Sequence, residues 1–243
     1  METEKIKQLQ QWVDQSDRIV FFGGAGVSTE SGIPDFRSQD GLYHQQYDVP
    51  PETILSHTYF ERHTAEFYRF YRNKMICLTA KPNAAHKKLA ELEQAGKLQC
   101  VISSNIYELS QRAGCKNVID LHGSIYHNYC LRCGREYSVE YIKHMKGIPA
   151  CEKCGIPIRP GLFFFGEMTD PHLISQASQA IHDAQVLLLL GTTLNSEVFA
   201  HYIKYFHGKW LIMIHKERHF LDDNADMVFI DQPKNILSQL GYC

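Results

Sequence analysis

Short apolar runs recur along the chain, separated by stretches in which apolar residues return every three to four positions. The runs Arg18–Phe22, Gln99–Ser103, Asn117–Leu121, Val186–Leu190, Leu211–Ile214 and Met227–Ile230 are rich in β-branched, leucine and aromatic residues. They lack the strict polar alternation of a half-exposed strand, so they read as strands buried on both faces. Asn83–Gln94 and Leu173–His182 carry helical periodicity, and the charged N-terminal METEKIKQLQQWVDQ reads as an amphipathic helix. Strands alternating with helices predict an α/β fold with a doubly wound, mostly parallel, Rossmann-like sheet. A ligand is then expected in the crevice at the carboxyl ends of the strands.

Two stretches interrupt that alternation. Residues 39–80 are aromatic-rich and are expected to form a helical insertion, whereas residues 124–159 are polar and turn-rich. The expected organisation is a single domain over residues 1–243, with the sheet built from 1–38, 81–123 and 160–243. The segment 124–159 forms a small separate module within it.

That module holds four of the eight cysteines, as Cys130-x-x-Cys133 and Cys151-x-x-Cys154. Paired thiolates at this spacing match a tetrahedral, zinc-ribbon type of Zn²⁺ site, and four thiolates leave no open coordination position, which points to a structural ion. A redox dithiol would need a thioredoxin-like βαβ context that this segment lacks. Cys77, Cys100, Cys115 and Cys243 show no metal spacing and read as packed or free thiols.

Composition narrows the partners. A chain of 243 residues that is 44% hydrophobic can bury one core and a satellite, and its net charge of -2 lacks the basic excess of a nucleic-acid binder. No apolar stretch is long enough to span a bilayer, and the N-terminus has no signal-peptide core. No nucleic acid, no membrane and a cytoplasmic location are expected.

The first strand runs into Gly23, Gly24 and Gly26, a turn that lets a diphosphate approach bare backbone at a helix start. Glycine spacing alone fits an ordinary strand-to-helix turn equally well. Pro34 then ends any helix and displays Asp35, Phe36 and Arg37 on a loop. His122 stands at a strand end before Gly123, where an imidazole can accept a proton.

The stretch GAGVSTESGIPDFR resembles the signature of the sirtuins, the NAD-dependent protein deacylases, in their bacterial type. The likeness continues through KPNAAH at Lys81–His86, QRAG at Gln111–Gly114, DLHG at Asp120–Gly123, both cysteine pairs, IRP at Ile158–Pro160, FGE at Phe165–Glu167 and GTTL at Gly191–Leu194. The resemblance implies removal of acetyl or another neutral acyl group from protein lysine, with NAD consumed and nicotinamide and O-acyl-ADP-ribose released. It assigns His122 as general base for a ribose hydroxyl and Asn105 to positioning water or ribose. Cofactor binding falls to Gly24, Ala25, Gly26, Ser28, Asp35, Phe36, Arg37, Ser104, Asn105, Tyr107, Gly191, Thr192, Thr193 and His215. The acyl-lysine peptide falls to Tyr68, Tyr71, Phe163, Phe165 and Gly166, its backbone adding as a strand beside Phe163–Gly166. Tyr68 and Tyr71 equally suit simple packing of the insertion.

Several residues depart from the family pattern. Ser104 and Tyr107 stand where a glutamine and an aspartate are usual, Ser110 replaces a histidine, and His215 replaces an asparagine near the adenosine. Phe199 replaces an alanine and is expected to crowd the adenine side, and Phe163 enlarges a smaller aliphatic residue. These changes keep two further activities open: a weakened or noncatalytic module binding NAD or ADP-ribose, and an NAD hydrolase or ADP-ribosyltransferase.

Overall fold

Ile19–Gly23 is buried along its whole length and forms β1, an interior strand of a six-stranded parallel sheet, in a computed structural model that describes residues 2–34 and 48–241. Asp35, Phe36 and Arg37 lie outside the described residues. The residues group into two compact units, the first comprising Met1–Ile33, Lys81–Leu121 and Asp170–Cys243. This unit contains α1 (Glu2–Asp14), β1, α2 (Ala25–Thr29), α6 (Ala84–Gln94), β2 (Leu98–Ser103), α7 (Leu109–Ala113), β3 (Val118–Asp120), α9 (Pro171–Asp183), β7 (Val186–Leu190), β8 (Trp210–His215), β9 (Met227–Ile230) and α10 (Pro233–Leu237). Strand order is β3-β2-β1-β7-β8-β9, so the order reverses between β1 and β7. In open α/β sheets ligands bind at that switch point, outside the carboxyl ends of the strands.

Alternate side chains of β1 serve opposite cores. Ile19 and Phe21 pack with Leu9 and Val13 of α1, Leu89 and Leu92 of α6, and Ile236 and Leu237 of α10. Val20 and Phe22 join Ala177 and Ile181 of α9 with Phe199 and Tyr202 on the other face. Both faces are covered, which is why the strands carry no polar alternation. Helix α6 starts on a capping box: the Asn83 side chain accepts from His86 N–H at 3.4 Å while His86 Nδ1 accepts from Asn83 N–H at 3.3 Å.

The second unit comprises Pro34–Ala80 and His122–Thr169. Its helices α3 (Pro51–Ile54), α4 (His57–Arg62) and α5 (Thr64–Phe70) lead into a π-helical turn at Tyr71–Met75. Its sheet is three-stranded and antiparallel, β5 (Glu136–Tyr137), β4 (Gly123–Tyr129) and β6 (Arg159–Leu162), with α8 (Val139–His144) alongside. Residues 160–169, expected with the parallel sheet, group here instead because β6 pairs with β4. Phe60, Phe67, Tyr68, Tyr71 and Phe164 interlock in one aromatic cluster, with Phe60 and Phe67 edge-to-face at 5.0 Å. Among the described residues no helix is long and apolar enough to cross a membrane.

Candidate functional site

The turn after β1 is packed too closely for side chains. A Cβ at Gly24 would lie 2.5 Å from Thr192 Cβ, and one at Gly26 would lie 2.8 Å from Gly191 Cα. Gly191 itself has φ +62°, and its own Cβ would lie 2.5 Å from Val27 N. The glycines are therefore demanded by the interlock of two loops across the switch point as much as by a phosphate. Gly24 N–H donates to Leu190 O at 2.9 Å and Gly26 N–H to Gly191 O at 3.0 Å, so two of the turn's amides are spent on backbone carbonyls. The expected row of free amides is thus shorter than the sequence suggests. Beside the turn, Ser28 is 2% exposed and its hydroxyl has no hydrogen-bond partner among the described residues. Glu30 Oε1 is likewise buried without a partner, and its pKa is raised by burial, against the backbone hydrogen bond from Lys234. Orphaned polar atoms beside a glycine-lined strand end fit a polar ligand such as a dinucleotide.

The loop after β2 is tied to the same turn. Ser104 Oγ donates to Gly23 O and Asn105 Nδ2 donates to Gly24 O, both at 3.0 Å. Asn105 N–H also donates to Ser103 Oγ at 3.1 Å. Its side-chain oxygen has no hydrogen bond among the described residues, leaving an acceptor in a fixed position. Tyr107 is 6% exposed, and Glu108 beside it has φ +51°, in the left-handed region that is costly for a non-glycine residue. Thr193 Oγ1 donates to Asn195 Oδ1 at 2.9 Å in the loop after β7.

Two departures receive an explanation here. His215, at the end of β8, is buried, and its Nε2 faces Asp222 Oδ1 at 3.0 Å. Burial lowers its pKa while Asp222 pulls it back up. Phe199, expected to crowd the adenine side, is fully buried and meets Phe22 edge-on at 4.8 Å. That expectation is corrected: the ring fills the core face shared with α9, where an aromatic has room and gains a partner.

In the second unit His122 immediately precedes β4, and its carbonyl accepts from Phe163 N–H at 3.2 Å. Burial holds the imidazole pKa below its ordinary value, which keeps it neutral and able to accept a proton. Gly123 has φ +74°, and a Cβ there would lie 2.1 Å from Gly161 O, so no other residue lets β4 leave His122 at this angle beside β6. Tyr68 and Tyr71 are both 0% exposed in the aromatic cluster, and the Tyr68 hydroxyl donates to Ile158 O. Desolvation raises the Tyr68 pKa. Phe165 is 47% exposed, but its backbone is already used: its N–H donates to Leu55 O at 3.0 Å and its carbonyl accepts from His57 N–H at 3.1 Å. The expected peptide-pairing edge therefore narrows to Phe163 O and the amide and carbonyl of Gly166.

Arg159, His57 and Glu167 were given no role from sequence. Arg159 Nη2 donates to Glu167 at 2.8 and 2.7 Å, and His57 Nδ1 lies 2.6 Å from Glu167 Oε1. The available signal was a buried-type motif, IRP with FGE, that holds one charge of each sign.

The four cysteines converge as their spacing predicts. Their sulfurs all lie within 4.8 Å of one another, with Cys133 and Cys151 at 3.7 Å. Zn–S bonds of about 2.3 Å at tetrahedral angles put sulfurs about 3.8 Å apart, so the donor set fits zinc. The two knuckles repeat one geometry: Gly134 N–H donates to Cys130 O and Gly155 N–H to Cys151 O, each at 2.8 Å. The Tyr137 hydroxyl lowers the Cys151 pKa toward the ligating thiolate.

A doubly wound sheet with a glycine-packed switch point, joined in sequence to a four-thiolate module, defines a dinucleotide-using, zinc-stabilised class of protein. Comparison narrows the class. A family model described as the Sir2 family matches residues 24–198. Proteins named NAD-dependent protein deacetylase from Clostridium acetobutylicum and Clostridium perfringens are 47% and 43% identical, spanning 96% and 98% of this chain and 97% and 98% of theirs. A solved structure of Sir2 with a deacetylated peptide and acetyl ADP-ribose is similar with a TM-score of 0.86 at 33% identity, covering 96% of both chains. One of Sir2 bound to acetylated peptide has a TM-score of 0.81 at 32% identity, over 96% of this chain and 95% of that one. The chain belongs to the Sir2 family.

Proposed function

We propose that this protein is an NAD-dependent protein-lysine deacetylase, taking an acetyl or other neutral acyl group from a protein or peptide and releasing nicotinamide and O-acyl-ADP-ribose. The observation that carries this reading is the near full-length match to relatives named for that activity, at identities up to 47%. NAD, when bound, supplies the ribose carbon and hydroxyls that accept the acyl group. Gly24, Ala25, Gly26 and Ser28 hold its phosphates, with Gly191, Thr192 and Thr193 and His215 on the adenosine side. Asn105 presents its side-chain oxygen to water or ribose. His122, kept neutral by burial, takes a proton from a ribose hydroxyl. Phe36 guards the reacting carbon, Asp35 and Arg37 hold the loop and the cofactor, Tyr107 stands at the nicotinamide carboxamide and Ser104 at the ribose. Zinc on Cys130, Cys133, Cys151 and Cys154 is structural. None of the seven described cysteines is in a disulfide, which suits a reducing, cytoplasmic setting.

Burial of Tyr107 favours a second reading, a weakened module that binds NAD or ADP-ribose without turnover. Zinc-loaded protein incubated with NAD, with and without an acetyl-lysine peptide, distinguishes the two by nicotinamide and O-acetyl-ADP-ribose release. Peptide-dependent formation of both products, lost in His122→Ala with ADP-ribose binding retained, is expected. Calorimetric NAD binding without any product would establish the module instead, and peptide-independent nicotinamide release would establish a hydrolase.

A further inference from the structure

The loop Phe163–Met168 is fastened to the start of α4 by a clasp within the second unit. Its backbone part is a short parallel bridge between Ser56 and Phe165, made by the bonds of Phe165 to Leu55 and His57. Its side-chain part is the His57 ring, with Nδ1 at 2.6 Å from Glu167 Oε1 and Nε2 at 3.3 Å from Glu61 Oε1. An ionised carboxylate only accepts, so in the 2.6 Å contact the ring nitrogen facing Glu167 is the donor. Glu167 also receives Arg159 and the Phe164 N–H at 2.8 Å, so one carboxylate joins β6, the loop and α4. Its pKa is lowered: burial raises it, and the bonds from Phe164, His57 and Arg159 outweigh that.

The His57 side chain is 47% exposed and therefore adds little to the core; its contribution is the bond it makes. Its location matters because of what the clasp leaves over. With both backbone groups of Phe165 engaged, an incoming peptide backbone is left Phe163 O and the two polar groups of Gly166, on either side of Phe165. Gly166 has φ +85° and nothing within 4 Å of the position a Cβ would take, so no neighbouring wall sets its direction. The direction is set from Phe165 and Glu167 on either side.

We propose that His57 is a positioning residue for the acyl-lysine peptide: through Glu167 it holds the loop Phe163–Met168 in its peptide-receiving form, and it touches no reacting group. This rests on the deacetylase reading above. The test uses full-length, zinc-loaded protein with His57→Leu, which has no donor, and His57→Asn, whose amide places a donor near the position of Nδ1. His57→Leu is expected to raise peptide KM about three- to tenfold while kcat and the KM for NAD stay within about twofold, as suits a half-exposed charge-assisted bond. His57→Asn restores peptide KM. In a Glu167→Gln background the His57→Leu effect shrinks, because the two changes remove one interaction. Hydrogen exchange over 163–168, measured without substrates, quickens in His57→Leu and not in His57→Asn. Unchanged peptide KM and unchanged loop exchange in His57→Leu overturn the proposal, as does an equal fall in kcat that His57→Asn fails to rescue. If the unaltered protein deacetylates nothing, the functional reading fails, while the exchange comparison still decides the clasp.

Discussion

Phe199→Ala separates two roles for one residue, a wall against the adenine or a pillar of the core. The side chain is 0% exposed and shares a cluster with Val20, Phe22, Ile181, Leu187 and Leu189. Truncation forfeits about 2 kcal/mol of apolar transfer and about 1 kcal/mol from the edge-on pair with Phe22. The cavity left behind adds to this, for a total of about 3–5 kcal/mol. At about 2–4 °C per kcal/mol for a chain of this size, the unfolding midpoint falls by about 6–20 °C. Phe199→Leu, which keeps most of the volume, costs about 1.5 kcal/mol or less. Scanning calorimetry of the zinc-loaded, nucleotide-free protein measures the drop, and titration calorimetry with ADP-ribose well below the midpoint measures affinity. The expected result is a large loss of stability with no gain in affinity. An unchanged midpoint together with ADP-ribose bound tenfold more tightly would refute the core assignment.

Two further outcomes follow from the geometry. Chelation of zinc leaves four clustered thiols with no metal to hold the knuckles, so protease cleavage between Cys130 and Cys154 should accelerate and far-UV circular dichroism should change; equal resistance with and without chelator would show that the module folds unaided. Burial holds the His86 pKa down to about 4 against 6.5 when free, so the stability of the neutral, buried form is complete above 6.5 and drains away as pH falls toward about 4, by about 3 kcal/mol. His86→Gln keeps an acceptor for the capping box and removes the titration. Denaturant midpoints at neutral and acid pH should therefore diverge for the native chain and stay closer for the variant, and parallel losses would exclude His86 as the cause.

Much of this was legible in the residues because the strands are buried on both faces. Val186–Leu190 and Met227–Ile230 begin and end where their apolar runs do, and the cysteine spacing by itself located the sulfur cluster. What escaped notice depends on contacts between distant segments. The composition of residues 160–169 does not reveal that β6 pairs with β4, or that Phe165 is already bonded to Leu55 and His57. Nor does glycine spacing distinguish a phosphate cradle from the loop interlock at Gly24, Gly26 and Gly191, since both require a missing Cβ. The packing of Phe199 is illegible for the same reason: its neighbour in space, Phe22, lies on β1, far away in the sequence.

The departures from the family pattern then sort by whether the fold compensates them. Ser104 has a shorter side chain than the usual glutamine, and its hydroxyl donates to Gly23 O at 3.0 Å, which ties its loop to the turn. Ser110 is buried in the first unit, and Phe199 belongs to its core. His215 gains a carboxylate neighbour, with Asp222 Oδ1 lying 3.0 Å from its Nε2 but not aligned for a hydrogen bond. Tyr107 is different in kind. On the family pattern it stands where a carboxylate would accept from the nicotinamide amide, and a phenol offers a weaker acceptor in a site that is already buried. An unmet amide costs about 1–3 kcal/mol, a penalty that falls on NAD and not on ADP-ribose, which lacks the nicotinamide. On the proposed function, altered turnover alongside ordinary ADP-ribose affinity is therefore the pattern expected of these substitutions.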